Sequence, residues 1–228
     1  MNTAVIVAGG SGTRMKADVR KQYLVLKGLP VLRRTLEVFS ACSAIDRICL
    51  VVPEDDVLYC REQIVEQPTV LNNIYVTGGG DERQQSVFNG LSFFNDFAGD
   101  DIVVIHDGVR PFVSGGEIKA SVTAAIKYGA AIIAIPAFDT IKQSGKDDFI
   151  EKTLQREKIW LAQTPQTFQY NVIHKAHLDA IETGIQGTDD ASLVELTGIK
   201  VKLIEGQRNN LKITTSEDLK LADSLIDS

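Results

Sequence analysis

The sequence has no apolar run long enough to cross a bilayer, and its cysteines are few. The three cysteines, Cys42, Cys49 and Cys60, are odd in number and form no C-x-x-C pair. This pattern argues against a disulfide scaffold or a zinc site and suits a reducing compartment. The first residues, MNTAVIVAGG, lack the basic region and the cleavage site of a secretory signal and predict a β-strand instead. We therefore expect a cytoplasmic protein with no membrane segment.

An excess of positive charge is also missing. The formal net charge is −6, which argues against a nucleic-acid partner, since surfaces that bind nucleic acid are normally basic. Against this acidic background, Arg14, Lys16, Arg20 and Lys21 lie within one short stretch. Such a cluster indicates a small anionic ligand, whereas chance charges on a solvated loop are the alternative.

Short apolar runs alternate with amphipathic stretches along the 228 residues. The apolar runs predict six strands, at Ala4–Ala8, Arg47–Val52, Asn73–Thr77, Ile102–His106, Ala131–Pro136 and Lys200–Glu205. The amphipathic stretches predict four helices, at Val31–Ser40, Gln84–Phe94, Glu117–Tyr128 and Tyr170–Glu182. This alternation indicates a single α/β domain over residues 1–228, doubly wound around a mostly parallel sheet.

One segment departs from the alternation. Between Asp139 and Gln155 the chain reads DTIKQSGKDDFIEKTLQ, two polar stretches around a turn at Ser144–Asp147. We interpret residues 137–157 as a protruding β-hairpin arm. Two polar strands are not stable alone, and the arm carries apolar side chains that need a cover, so we expect a homodimer that exchanges arms. The apolar side chains are Ile141, Phe149, Ile150 and Leu154.

A glycine-rich loop follows the first strand and reads AGGSGTRM from Ala8 to Met15. The P-loop pattern G-x-x-x-x-G-K-[ST] is absent, and a dinucleotide fingerprint starting at Gly10 would need glycine where Met15 stands. Glycines still let backbone N–H groups approach a phosphate closely. Together with Arg14 and Lys21, the loop predicts a binding site for a triphosphate. Backbone amides of the loop would bind the β- and γ-phosphates, and the two cations would stabilise the charge that develops on the α-phosphate.

The loop and the Lys21-Gln22-Tyr23 that follows it resemble the sugar-nucleotide pyrophosphorylase family, in particular its branch of methylerythritol phosphate cytidylyltransferases. Further motifs of this branch follow in the same order: Gly79-Gly80-Asp81-Glu82-Arg83 with Ser86, His106-Asp107-Gly108-Val109-Arg110-Pro111, Asp139-Thr140-Ile141-Lys142, Gln163-Thr164-Pro165-Gln166, Thr188-Asp189-Asp190-Ala191-Ser192 and Lys212-Ile213-Thr214. Gly9 and Gly108-Val109 depart from the residues usual there. The resemblance implies a Rossmann-like fold of the nucleotide-diphospho-sugar transferase type.

The resemblance also implies a role for each site residue. The CTP-binding residues would be Ala8, Gly9, Gly10, Gly12, Gly80, Asp81, Ser86 and Asp107. Arg14, Lys21 and Lys212 would be catalytic, and Asp107 would hold Mg²⁺. The residues around methylerythritol phosphate would be Arg110, Thr140, Arg156, Thr164, Thr188 and Lys212, with Thr140 and Arg156 supplied by the partner's arm. From the residues alone, Asp107 is equally consistent with a turn and Asp81 with a helix cap.

These assignments predict an in-line transfer of CMP from CTP to the acceptor phosphate, with release of pyrophosphate and no protein nucleophile. Two alternatives remain: a ribitol-5-phosphate cytidylyltransferase, and a non-catalytic nucleotide-binding protein on the same fold. Lys142 and the Asp189-Asp190-Ala191-Ser192 motif argue against the first, and the set Arg14, Lys21 and Asp107 argues against the second. We interpret His174 and His177, which have metal-ligand spacing near Asp179, as solvated helix residues because no third ligand has a convincing position.

Overall fold

The computed structural model describes residues 1–9, 20–67 and 71–226. The strands in this part of the chain are β1 (Asn2–Val7), β2 (Val25–Leu26), β3 (Leu29–Pro30), β4 (Arg47–Val52), β5 (Ile74–Gly78), β6 (Ile102–Asp107), β7 (Ala130–Pro136), β8 (Lys142–Ser144), β9 (Ile150–Thr153), β10 (Trp160–Gln169) and β11 (Lys202–Glu205). The α-helices are α1 (Val31–Ser40), α2 (Val57–Tyr59), α3 (Arg83–Ser92), α4 (Gly115–Tyr128), α5 (Tyr170–Thr183), α6 (Asp190–Leu196) and α7 (Ser216–Ile226).

Seven strands form one sheet in the order β11-β7-β10-β6-β1-β4-β5. All neighbouring pairs are parallel except those of β10, which runs antiparallel to both β6 and β7. The mostly parallel, doubly wound sheet confirms the predicted fold class. Each of the six predicted strands is present, with ends that differ from the prediction by at most two residues.

The central strand β10 was not predicted. Its sequence, WLAQTPQTFQ, contains Pro165, and proline is normally excluded from central strands because it cannot donate to the ladder. The pairing of β10 with β7 shifts register between Ala162 and Gln166, so the proline occupies an irregularity in the ladder. Because of this irregularity, the Gln163-Thr164-Pro165-Gln166 motif, which we expected only to bind a ligand, also forms part of a central strand.

The four predicted helices are present, and local signals fix their ends. Helix α4 begins with a capping box, in which the Ser114 hydroxyl accepts from the Glu117 N–H and the Glu117 carboxylate accepts from the Ser114 N–H. It ends at Gly129, whose φ of 84° favours glycine. Helices α2, α6 and α7 were missed; α6 follows Asp189, which caps it through the Ser192 N–H.

Helices cover both faces of the sheet, so successive strand residues are buried on opposite sides. On one face, Ile6 and Leu50 pack with Leu36 of α1 and Ile118 of α4. On the other face, side chains from the same strands, such as Val5, Val51 and Val103, pack with α3, α5 and α6. Burying each such side chain contributes roughly 1.5–3 kcal/mol, so these two layers hold the strand ends in fixed positions. None of the described helices is long and apolar enough to span a membrane.

The predicted arm is present as a hairpin of β8 and β9 that pairs outside the main sheet. Its side chains are mostly exposed, and Phe149 and Ile150 are 76% and 64% exposed. Ile141 and Leu154 are half-buried at the base, where the Leu154 N–H donates to the Ile141 carbonyl at 2.9 Å. The expectation of apolar exposure therefore holds for the tip of the arm and only partly for its base.

Candidate active site

A cavity lies at the carboxyl ends of β1, β5 and β6, where ligands bind in open parallel sheets. The predicted site residues that line it are Ala8, Gly9, Lys21, Gly80, Asp81, Ser86, Asp107 and Lys212. We call it the nucleotide cavity. Gly10, Gly12 and Arg14, which belong to the same prediction, lie outside the described residues.

A second cavity adjoins the first and is called the acceptor cavity here. Four of the predicted acceptor-binding residues line it: Arg110, Thr164, Thr188 and Lys212. The other two, Thr140 and Arg156, belong to the arm and are exposed. The guanidinium of Arg156 donates to the Phe138 carbonyl of its own chain at 2.7 Å, so a single chain does not bring Arg156 into its own acceptor cavity.

Both cavities are lined by Asp107, Lys212 and Arg83. Asp107 is the last residue of β6 and is buried, and Lys212 reaches its Oδ2 at 2.9 Å. The segment carrying Lys212 is fixed because the N–H of the buried Ile213 donates to the Val109 carbonyl at 2.9 Å. A group bound in either cavity therefore meets the same carboxylate and the same cations.

Three cations surround Asp107. The Arg83 Nε lies 3.2 Å from Oδ1, and Lys212 Nζ and Arg110 Nε lie 2.9 and 3.4 Å from Oδ2. Burial alone would raise the pKa of this carboxyl, but Arg83, Lys212 and Arg110 outweigh burial and hold the pKa well below its usual range. Arg83 also pairs with Asp190, so two carboxylates face three cations, and the remaining positive charge at this point of the site favours the phosphates of a ligand.

His106 is buried beside Asp107, and its hydrogen bonds fix its tautomer. Burial lowers its pKa to about 4, so the ring is neutral near neutral pH. The Nε2 lies 3.1 Å from the Arg110 carbonyl, an acceptor only, so Nε2 carries the proton. The Thr164 hydroxyl must then donate to Nδ1 at 2.9 Å while it accepts from the Asp107 N–H at 3.2 Å. His106 is thus structural, and Thr164 has only an acceptor position left for a ligand.

Asn210 connects two of the acceptor-cavity residues from behind. Its side chain is fully buried, and its Nδ2 donates to the Thr164 carbonyl at 2.9 Å. The backbone carbonyl of Asn210 accepts a hydrogen bond from the Arg110 guanidinium at 2.8 Å. Sequence analysis had no reason to select this residue, because a lone asparagine in a loop carries no spacing signal.

The turn after β5 approaches the nucleotide cavity with its backbone. A Cβ at Gly79 would lie 2.6 Å from the buried Ser86 Oγ, so only glycine fits there. The Ser86 hydroxyl accepts from the Gly80 N–H at 3.1 Å and donates to the Glu82 carbonyl at 3.0 Å. The helix-cap interpretation of Asp81 is wrong, because the N-cap of α3 is Glu82 and Asp81 is exposed.

Arg83 is the main functional residue that the sequence reasoning left without a role. It lies at the first position of α3, and its guanidinium bridges Asp107 and the buried Asp190, with 2.7 Å from Nη1 to the Asp190 Oδ2. Burial would raise the pKa of Asp190, but Arg83 and His177 lower it below its usual value. Asp190 is buried and makes the shorter of the two contacts, so it anchors the partly exposed Arg83. The available signal was the cation that ends the Gly-Gly-Asp-Glu-Arg motif.

The interpretation of His177 as a solvated helix residue is wrong. Its ring is fully buried, and Nε2 lies 3.2 Å from the Asp190 Oδ1. His174 is half-buried and stacks on Tyr170, with 5.0 Å between ring centroids. Both histidines face the body of the domain because α5 packs against α3 and α6, contacts that the sequence spacing does not reveal.

A metal ion bound here would take one protein carboxylate, that of Asp107, and would depend on a ligand's phosphates for its other ligands. Among residues 1–9, 20–67 and 71–226, no group of three or more His, Cys, Asp or Glu side chains is placed to hold a metal. Asp107 supplies one buried carboxylate at the junction of the two cavities. Mg²⁺ is usually held by one or two carboxylates together with substrate phosphates, which matches this donor set.

Comparison with known proteins identifies the chain. The family model for IspD, 2-C-methyl-D-erythritol 4-phosphate cytidylyltransferase, matches residues 2–228. The enzyme of that name from Geotalea uraniireducens is 47% identical over 99% of this chain and 97% of its own, and that of Pelotomaculum thermopropionicum is 46% identical over 98% and 93%. The crystal structure of 4-diphosphocytidyl-2C-methyl-D-erythritol synthase from Anaerococcus prevotii superposes with a TM-score of 0.87 at 33% identity, covering 100% and 96% of the two chains. The chain therefore belongs to the 2-C-methyl-D-erythritol 4-phosphate cytidylyltransferase family.

Proposed function

We propose that this chain transfers CMP from CTP to 2-C-methyl-D-erythritol 4-phosphate and releases pyrophosphate, a step in isoprenoid precursor synthesis. The observation that carries the proposal is the shared wall of the two cavities. Asp107, Lys212 and Arg83 line both, so a nucleotide in one and a phosphorylated acceptor in the other meet at the same cations. A nucleotide-binding protein without a transfer reaction has no use for the second cavity.

In this mechanism, the residues position two anions and stabilise the charge of the transition state. An oxygen of the acceptor phosphate attacks the α-phosphorus of CTP, the bond from phosphorus to the bridging oxygen breaks, and pyrophosphate leaves with the electron pair. No base is required because the attacking phosphate oxygen is already ionised. Lys21 from the nucleotide cavity and Lys212 from the shared wall offer cations to the reacting phosphate, and Arg14 of the glycine loop is assigned the same role.

We assign Mg²⁺ as the cofactor, with Asp107 as its protein ligand and the remaining ligands from the triphosphate and water. When bound, Mg²⁺ supplies positive charge to phosphate oxygens. The chain's contribution is to keep the Asp107 carboxylate ionised and fixed, through Arg83 and Lys212 on its oxygens and through the Asp107 N–H on Thr164.

Asp107→Asn is expected to raise the Mg²⁺ concentration needed for half-maximal turnover by about tenfold or more, because the metal loses a charged ligand. A Mg²⁺ titration of turnover measures this midpoint. Asp179→Asn serves as the control, since Asp179 is an exposed partner of Lys175 and its loss should leave the midpoint unchanged. If the midpoint of Asp107→Asn stays at the wild-type value, Asp107 is not the metal ligand.

The acceptor is tested by comparing kcat/KM for methylerythritol phosphate and ribitol 5-phosphate, with pyrophosphate release from CTP as the readout. We expect a clear preference for methylerythritol phosphate, as the family name implies. CTP without an acceptor provides the background rate. A preference for ribitol 5-phosphate would place the chain with the alternative cytidylyltransferases, and absence of acceptor-dependent release would favour a non-catalytic binder.

We further propose a cytoplasmic homodimer in which each arm completes the partner's acceptor cavity. Two features of the arm support this assembly: its apolar tip residues Phe149 and Ile150 are exposed, and Arg156 does not line the acceptor cavity of its own chain. The three cysteines are free thiols, which fits a reducing compartment.

A further inference from the structure

Lys21 is the first residue of a short 3₁₀ turn, Lys21–Tyr23. The residues on both sides of it bind the same carboxylate. The Arg20 guanidinium donates to the Asp56 Oδ2 at 2.9 Å, and the Tyr23 hydroxyl donates to the same oxygen at 2.7 Å. Asp56 therefore holds the chain immediately before and shortly after Lys21.

Asp56 belongs to a different connection of the sheet, the turn Glu54–Asp56 that follows β4. Its side chain is 17% exposed, so its two hydrogen bonds are partly shielded from water. Burial raises the pKa of Tyr23 above its usual range, and contacts with Cys60 and Asp56 raise it further, so the hydroxyl remains a donor. The carboxylate thereby fastens the Lys21 turn to the end of a central strand.

A third contact fixes the middle of the turn. The side chain of Gln22 is fully buried, and its Nε2 donates to the Ala8 carbonyl at 2.8 Å. Lys21 itself lines the nucleotide cavity, whereas Asp56 is not one of the described residues lining that cavity. The lysine thus extends to the site from a backbone that is held on both sides.

We propose that Asp56 is a positioning residue that fixes Lys21 against the α-phosphate, an inference that rests on the role proposed above for Lys21. Asp56 touches no substrate in this arrangement; it acts through Arg20 and Tyr23. Displacing a catalytic group by about 1 Å can cost about 10²-fold in rate. We therefore expect Asp56→Ala to lower kcat by about tenfold to a hundredfold, with the KM for methylerythritol phosphate unchanged.

A double-mutant cycle tests the proposal: wild type, Asp56→Ala, Lys21→Ala and the double variant, assayed well below their unfolding midpoints. If Asp56 acts through Lys21, adding Asp56→Ala to the Lys21→Ala variant should change kcat by less than about twofold. Asp55→Ala is the matched control, since Asp55 is the exposed neighbouring carboxylate of the same turn and should behave as wild type. Tyr23→Phe repeats the cycle with the ring retained, in case Asp56→Ala does not fold.

The same loss of kcat from Asp56→Ala in both backgrounds, or no loss in either, would overturn the proposal. A merely structural role would give equal losses in both backgrounds, together with a lower unfolding midpoint. If Lys21→Ala itself keeps its kcat, the proposed role of Lys21 fails and the positioning role fails with it. If Lys21→Ala loses its kcat and Asp56→Ala does not, only the positioning role fails.

Discussion

Lys21→Ala and Arg14→Ala are each expected to lower kcat by about 10²–10³, with little change in the KM for CTP. Losses of this size follow from removing one group that stabilises charge in a transition state. The interaction grows as charge develops on the α-phosphate, so its loss appears in kcat rather than in ground-state binding. For Lys21 the argument is structural, since it lines the nucleotide cavity. For Arg14 it comes from the sequence motif.

Steady-state kinetics with CTP varied at saturating acceptor provide the measurement. Lys175→Ala is the control, because Lys175 is a 68% exposed lysine of α5 that pairs with Asp179 on the helix surface. It should keep the wild-type kcat and KM. A variant of Lys21 or Arg14 with a raised KM and an unchanged kcat would show that the cation binds the ground state and does not promote transfer.

Mixing two inactive variants is expected to restore activity if the arm completes the partner's site. Arg156→Ala has an intact Lys21 and a defective arm, while Lys21→Ala has a defective cavity and an intact arm. In a mixed dimer, the cavity of the first chain receives the arm of the second, so one of the two sites is sound. Random mixing makes about half of the dimers mixed, and recovery should approach about a quarter of wild-type activity.

The experiment co-refolds the two variants and separates the dimers by a tag carried on one of them. Each variant refolded alone gives the baseline, and a mixture made without refolding controls for exchange between dimers. The prediction is contradicted if purified mixed dimers stay at the baseline. An isolated monomer that is active would likewise contradict a shared site, because a single chain would then supply all the groups required.

The sequence predicted the parallel part of the sheet because its inner strands β1, β4 and β6 contain continuous apolar runs. It did not predict β10, since Pro165 in WLAQTPQTFQ counts against a central strand. The ladder tolerates Pro165 only because the register shifts beside it, and that compensation is a property of the assembled sheet. Tertiary pairing overrides local propensity at this strand.

Sequence analysis identified the site residues that belong to motifs, but it did not identify the residues that hold them in place. Asp107 and Lys212 were assigned from their motifs and line both cavities. Arg83 and Asn210 act through partners far away in the chain, Asp190 and Thr164, and His177 acts through Asp190 of the following helix. Such supports have no fixed spacing, so only the folded structure reveals them.

Strand β7 meets both of its neighbours, β10 and β11, only after it has itself been synthesised. The pairs among β1, β4, β5 and β6 are complete once Asp107 has left the ribosome, but AAIIAIP then emerges with both edges open. Apolar strands with open edges recruit other chains, so the nascent protein is most prone to aggregation in this interval. One of the two open edges of β7 is covered when β10 inserts between β6 and β7. Because Thr164 of β10 lines the acceptor cavity, the insertion of β10 both covers this edge of β7 and completes one wall of the acceptor cavity.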